Sequence, residues 1–234
     1  MFNVENFAFI NEQFFVSAVE PANLDRLLAD GWRHFGHHFF RYNLAFYTDE
    51  IRFVYPLRID LPKFSFSKSQ RRILKRNSDL RVEYGPATIS ETIIGMFERH
   101  AKRFTHSVPD SIFDFLAERP ADGPCDTRSC FVYNADQLIA ISFFDVGSVS
   151  LSSVYGIFEP DYADRSLGIF TMLREIEYAV ENKLRHYYHG YVYEGNSFYD
   201  YKKRFRALEV YDWNGNWRKA QFQNDSGETS FSGG

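Results

Sequence analysis

The stretch from Ser152 to Asn182, SSVYGIFEPDYADRSLGIFTMLREIEYAVEN, limits the fold more than any other part of the chain. It begins with an apolar and aromatic run, crosses an acidic turn at Glu159 to Asp164, and ends in a segment whose Ile169, Leu173, Ile176 and Val180 recur at helical spacing. A strand, a turn and a helix follow in that order. Ser166 or Asp164 is placed to cap the first orphan amides, and Lys183 suits the negative end of the helix dipole. The helix therefore opens near Arg165-Ser166-Leu167-Gly168, where backbone N–H groups can face an anion.

This arrangement resembles the GNAT acyltransferase fold, whose central strand and helix hold the donor's pyrophosphate in an Arg/Gln-x-x-Gly-x-Gly/Ala loop. Arg165 and Gly168 fit that loop, while Phe170 puts a bulky ring where backbone should approach phosphate closely. Coenzyme A is thereby disfavoured as a donor.

With 44% hydrophobic residues among 234, the chain can build one large core or two small ones. No apolar run is long enough to span a bilayer and the N-terminus is not signal-like, so a cytoplasmic location and no membrane contact are expected. A net charge of −4 argues against nucleic-acid binding by the whole surface and leaves room for a local basic patch. The 15 tyrosines exceed what a core needs, which leaves some to line a pocket. Cys125 and Cys130 lie in a loop without a neighbouring histidine, and Gly36 among His34, His37 and His38 favours a turn or strand start. Neither group has the spacing of a metal site, so no metal and no cofactor are expected.

Before the central unit the pattern predicts a short helix over 23–30, stopped by Gly31, and strands near 39–47 and 52–60. If the stretch from Ser67 is helical, Lys68, Arg71, Arg72, Lys75 and Arg76 fall on one face with no acid among them. Like charges so placed repel by a few tenths of a kcal/mol per pair, and a polyanion would relieve them. Thr88 with Glu91 reads as a capping box for a helix to about Phe104, and another helix is expected over 111–118. Strands are expected at 130–133, 138–145, 148–158, 185–193 and 208–213, with a basic, aromatic helix over 195–206 and a polar, disordered tail from 224.

Three blocks resemble the arginyl/leucyl-tRNA–protein transferases of the N-end rule pathway: SKSQRRILKRNSDL (67–80), SSVYGIFEPDYADRSLGIFTMLREIE (152–177), and HYYHGYVY with YKKRF (186–193 and 201–205). Their order and spacing cover most of residues 60 to 213 and are more specific than any single block. The family's N-terminal cysteine cluster has no counterpart, because residues 40–60 contain no cysteine. Phe198 stands where a lysine is expected and Ala207 where a proline is expected.

The resemblance implies an α+β chain: a small α/β segment with the basic helix over 1–85, then a GNAT-like aminoacyltransferase domain with a mixed, largely antiparallel sheet flanked by helices over 86–223. It implies transfer of Arg or Leu from aminoacyl-tRNA to the N-terminal amine of an acceptor protein or peptide. Under it Asp145, Tyr155 and Tyr191 are the catalytic candidates; Tyr188, Lys202, Arg206, Arg165, Ser166 and Gly168 would hold substrate; and Lys68, Arg71, Arg72, Lys75 and Arg76 would hold tRNA phosphates. A coenzyme A-dependent N-acyltransferase and a catalytically silent tRNA- or peptide-binding relative are the alternatives.

Overall fold

The computed structural model describes residues 8–104 and 108–222; the tail expected from 224 lies outside them. A small antiparallel sheet in the order β1-β3-β2 comes first, from β1 (Asn11–Phe15), β2 (Arg33–Phe35) and β3 (His38–Tyr42), with helix α1 (Pro21–Ala29) between β1 and β2. A strand over 39–47 is interrupted at buried Asn43, whose side chain accepts from Ile10 N at 2.9 Å and donates to Ala8 O at 2.7 Å. Its amide takes up the backbone of the entering chain, and the strand divides into β3 and β4 (Leu44–Tyr47).

The large sheet joins β4 to β5 (Glu50–Asp60), β6 (Arg81–Pro86), β7 (Asp126–Asn134), β8 (Gln137–Val146), β9 (Ser150–Phe158), β10 (His186–Tyr193), β11 (Leu208–Tyr211) and β12 (Trp217–Lys219). Its order is β12-β11-β5-β10-β9-β8-β7-β6, with β4 paired to β5. All pairs are antiparallel except β9 with β10, which are linked by helix α4 (Leu167–Glu181). The expected α+β, GNAT-like arrangement of a largely antiparallel sheet flanked by helices is the one found. The sheet takes β4, β5 and most of β6 from before residue 86.

Two cores sandwich β8, which explains its near-continuous apolar sequence. Ala140 and Phe144 face Phe170, Leu173 and Ile176 of α4, while Ile141 and Phe143 face Ile93, Met96 and Phe97 of α3 (Glu91–Ala101). Val180, expected on the buried stripe of α4, is half exposed. The stripe instead runs through Met172, Glu175, Ile176 and Ala179, so it includes a carboxylate.

Other elements differ from expectation at their ends. Ser90, not Thr88, caps α3, its hydroxyl accepting from Ile93 N at 3.4 Å. The helix expected over 111–118 is a single 3₁₀ turn, Ile112–Asp114, because Ile112 and Leu116 are drawn into the core under α3. The helix expected over 195–206 is a 3₁₀ turn, Phe198–Arg204, which ends where buried Phe205 turns extended. Among the described residues no helix is long and apolar enough to cross a membrane.

Candidate active site

Strands β9 and β10 run side by side only at their starts, where His186, Tyr187 and Tyr188 pair with Ser150, Leu151 and Ser152. Just beyond, each strand bulges: the register of β9 against β8 shifts between Ser153 and Tyr155, and that of β10 against β5 between Tyr188 and Gly190. Bulges bend and re-aim strands. Two at the same height part the pair into a V that opens toward Phe158 and Tyr193.

Side chains from distant segments enter this opening. Arg33 of β2 is buried; its Nη1 donates to Ser152 Oγ at 2.7 Å and its Nη2 to Ser153 O. Lys202, from the turn Phe198–Arg204, lies half-buried with Nζ 3.5 Å from Tyr191 O and 5.2 Å from the Tyr199 ring centre. Burial first, and the Arg33 charge second, push its ammonium down to about 7. Gly190 makes room for it: φ is +96°, and a Cβ there would stand 2.9 Å from Lys202 Nζ.

Tyrosines line the rest. Ring centres lie 6.0 Å apart for Tyr193 and Tyr199, 4.6 Å for Tyr47 and Tyr193, and 5.2 Å for Tyr42 and Tyr191. Tyr155 stacks on Phe115 at 3.8 Å, and its buried hydroxyl has no hydrogen-bond partner among the described residues. Burial, with Tyr199 nearby, pushes that hydroxyl up to about 12, so it keeps its proton and can donate. On the α4 side of the sheet Tyr187 Oη donates to Glu175 Oε2 at 2.7 Å, and burial pushes Glu175 up to about 7. His189 Nε2 donates to Lys202 O at 3.1 Å; burial, then the Lys202 charge, push it down to about 3, so the ring is neutral.

The residues expected at the site divide clearly. Tyr155, Tyr191 and Lys202 meet at the V, but the Tyr191 hydroxyl donates to Gly31 O at 2.6 Å and so ties β10 to the N-terminal sheet. Tyr188 is buried among Leu24, Leu28 and Phe39, with Oη 3.4 Å from Arg58 Nη1. Asp145 is fully buried, accepting from Thr127 Oγ1 at 2.6 Å and facing His34 Nε2 at 2.8 Å; its carboxylate is engaged away from the opening. Arg206 is exposed and donates to Ser65 Oγ, because the turn stops at Arg204 and does not carry it round beside Lys202. Arg33, Glu175 and Tyr199 were not foreseen. Only Glu175 left a signal, as a carboxylate on an apolar helical stripe.

The start of α4 is a packing junction. Arg165 pairs with Asp79 at 3.0 Å, and Ser166 adopts left-handed φ and ψ of 56° and 43° with no side-chain cap. A Cβ at Gly168 would rest 3.5 Å from the Phe158 ring. Leu167 and Phe170 are fully buried, so the bulk at position 170 fills core. Helix α2 (Lys68–Arg76) docks against this junction. Ser67 and Gln70 form its capping box, Asn77 Nδ2 donates to Arg165 O at 3.0 Å, and Arg76 Nη1 donates to Asp164 O at 2.5 Å. Ile73 and Leu74 face the core while Lys68, Arg71, Arg72, Lys75 and Arg76 are all exposed. No ion pair among the described residues involves any of the five. The basic face thus lies beside the end of β9 toward which the V opens.

Comparison with known proteins gives the family of the chain. The family described as arginine-tRNA-protein transferase, C terminus, matches residues 95–212. The aspartate/glutamate leucyltransferase of Helicobacter hepaticus is 29% identical over 206 residues, 84% of this chain and 82% of that protein. That of Xanthomonas campestris pv. campestris is 35% identical over 167 residues, 67% of this chain and 66% of that protein. The chain therefore spans just under two thirds of the Xanthomonas relative. The crystal structure of FemX aligns with a TM-score of 0.47 at 12% identity, over 81% of this chain and 65% of that one. The match over half of the chain places it in the arginine-tRNA-protein transferase family, a family of tRNA-dependent aminoacyltransferases.

Proposed function

We propose that this chain moves a leucyl group, in preference to arginyl, from charged tRNA to the N-terminal amine of proteins that begin with Asp or Glu. The observation that carries the reading is the opening between β9 and β10, with buried Arg33 and half-buried Lys202 in it and basic α2 beside it. Relatives named aspartate/glutamate leucyltransferases support the same donor and acceptor. An arginyl side chain would bring a third cation beside Lys202 and Arg33, whereas a leucyl side chain meets the tyrosine rings without charge. An acidic acceptor side chain suits the same two cations, and its arrival favours the protonated form of Lys202.

The chemistry asks little beyond alignment. The aminoacyl ester is already activated, and an N-terminal amine with an ordinary pKa near 8 is partly neutral at physiological pH. Its nitrogen attacks the ester carbonyl, the new C–N bond forms, and the C–O bond to the terminal ribose breaks. The amine's proton leaves and the ribose oxygen gains one. Held in the V, the two reactants gain from proximity, and the unpartnered Tyr155 hydroxyl is a donor for the developing oxyanion. The phosphates of the tRNA end would lie on Lys68, Arg71, Arg72, Lys75 and Arg76.

The test is a mixed pool of aminoacylated tRNAs with peptides beginning in Asp, Glu, Arg, Lys or Ala, read by mass. A leucyl gain on the Asp and Glu peptides is expected. An arginyl gain would overturn the donor assignment, and tRNA binding with no gain on any peptide would overturn the enzyme reading.

A further inference from the structure

His34, Cys125 and Asp145 come from three separate segments, and one ligand atom of each meets within 4.8 Å in the interior. All three side chains are buried. His34 Nδ1 lies 2.9 Å from Gly36 O, and a carbonyl only accepts, so Nδ1 carries a hydrogen. In the neutral ring Nε2 then presents its lone pair. That lone pair faces Asp145 Oδ2 at 2.8 Å and Cys125 Sγ at 3.6 Å. The three atoms can be bridged by hydrogens on the ring and the thiol or by a metal ion.

We propose that this cluster is a binding site for a zinc-class divalent cation, held by His34 Nε2, Cys125 Sγ and Asp145 Oδ2. With zinc bonds of about 2.05 Å to nitrogen and 2.3 Å to sulfur, tetrahedral ligands stand about 3.6 Å apart, which is the separation of His34 Nε2 and Cys125 Sγ. The nitrogen and carboxylate oxygen would open from 2.8 Å to about 3.4 Å by small side-chain rotations. Zinc commonly takes such a mixed set of imidazole, thiolate and carboxylate ligands.

The surroundings are those of a supported metal site. The Nδ1–H bond to Gly36 O sets the ring tautomer, and Phe39 stacks on the ring at 4.5 Å. Thr127 Oγ1 donates to Asp145 Oδ1 at 2.6 Å, which leaves Oδ2 for the ion. A cavity of about 10 Å³, bounded by His34, Asp145, Phe115 and Pro120, adjoins the ligands and admits about one water as a fourth ligand. The ion would tie β2 to β8 one residue from Arg33, and Asp145 is the cross-strand partner of Ser152, which Arg33 contacts. The site thereby braces the root of the opening.

The ligands lie 91 and 111 positions apart for Cys125 and Asp145 relative to His34, which is why spacing did not disclose them. The test uses the full chain stripped by chelator and titrated with zinc and with cobalt(II). We expect about one equivalent bound, a cobalt–thiolate charge-transfer band in the near ultraviolet, and a higher melting temperature with zinc than without. Cys125→Ser should abolish the band and weaken zinc about 100-fold, and Thr127→Val, which spares every ligand, about 10-fold. If the folded wild-type chain binds neither metal, or folded Cys125→Ser binds zinc as tightly, the proposal is overturned and a proton holds the cluster.

Discussion

Helix α2 and the opening between β9 and β10 both gather cations, under opposite conditions. In α2 five basic side chains are exposed over nine residues, with no ion pair among the described residues to oppose them. Each is exposed, costs little in desolvation and acts at a distance that salt screens. In the opening Lys202 and Arg33 come from the two ends of the chain, and burial works against both charges. A cation kept at that cost has to be matched by a specific anionic or polar partner. The exposed face suits a repeating polyanion of any sequence, while the enclosed pair suits one small group in one place. Affinity for tRNA should therefore reside in α2 and selectivity among acceptors in the V.

Lys202→Met should break this division most sharply. Transfer to an Asp-initiated peptide should fall about 100-fold or more in kcat/KM, while tRNA binding is unchanged. The acceptor dependence on pH gives the sign. The free enzyme carries the Lys202 cation below about pH 7 and loses it as pH rises, so acceptor KM should climb above that point and the variant's profile should be flat. Folding should be unharmed or strengthened, since a cation whose folded pKa is lowered opposes folding below pH 7 and ceases to as pH rises toward 10.5. Equal loss with an Ala-initiated peptide, or a merely unstable variant, would show that Lys202 does not choose the acceptor.

Arg71→Glu with Arg72→Glu is the complementary break. Both side chains are exposed, so the fold should survive, and tRNA affinity should drop at least about tenfold at low salt. The slope of log affinity against log salt should become shallower by about 2. Acceptor KM at saturating tRNA should not move. Unchanged tRNA affinity in the folded double variant would remove α2 from the interface.

The same contrast explains what the sequence disclosed. The charge pattern of α2 is local: nine consecutive residues at helical spacing state the exposed face, and only its docking through Asn77 onto Arg165 needed three dimensions. The unit β9-α4-β10 was legible for a similar reason, since Ile169, Leu173 and Ile176 keep one period. The V was not. Its existence depends on two bulges, near Ser153 and His189, that no local pattern marks. Arg33 enters it from 119 residues away from Ser152. Misplacing Arg206 had a local cause: buried Phe205 pulled the chain extended, and tertiary packing overrode a helical expectation. Asp145 was singled out as a carboxylate at a strand end, but its destination, His34 and Thr127, is a matter of strand register.

The finest division lies within the V, between a tyrosine whose hydroxyl holds structure and a buried one whose hydroxyl does not. Tyr191 Oη is bonded to Gly31 O, whereas Tyr155 Oη is buried without a partner among the described residues. Leaving a buried hydroxyl unpaired costs roughly 1 kcal/mol or more, so Tyr155→Phe should leave stability unchanged or raise it by about that amount. If the hydroxyl donates to the oxyanion, kcat should nevertheless fall several-fold to about 100-fold, with acceptor KM nearly constant. Tyr191→Phe should do the reverse, losing about 1 kcal/mol of stability from a broken buried bond that leaves Gly31 O unpaired. A Tyr155→Phe enzyme with full kcat would reduce that residue to a ring stacked on Phe115, and the oxyanion donor would then have to be sought among the backbone amides freed where β9 and β10 part.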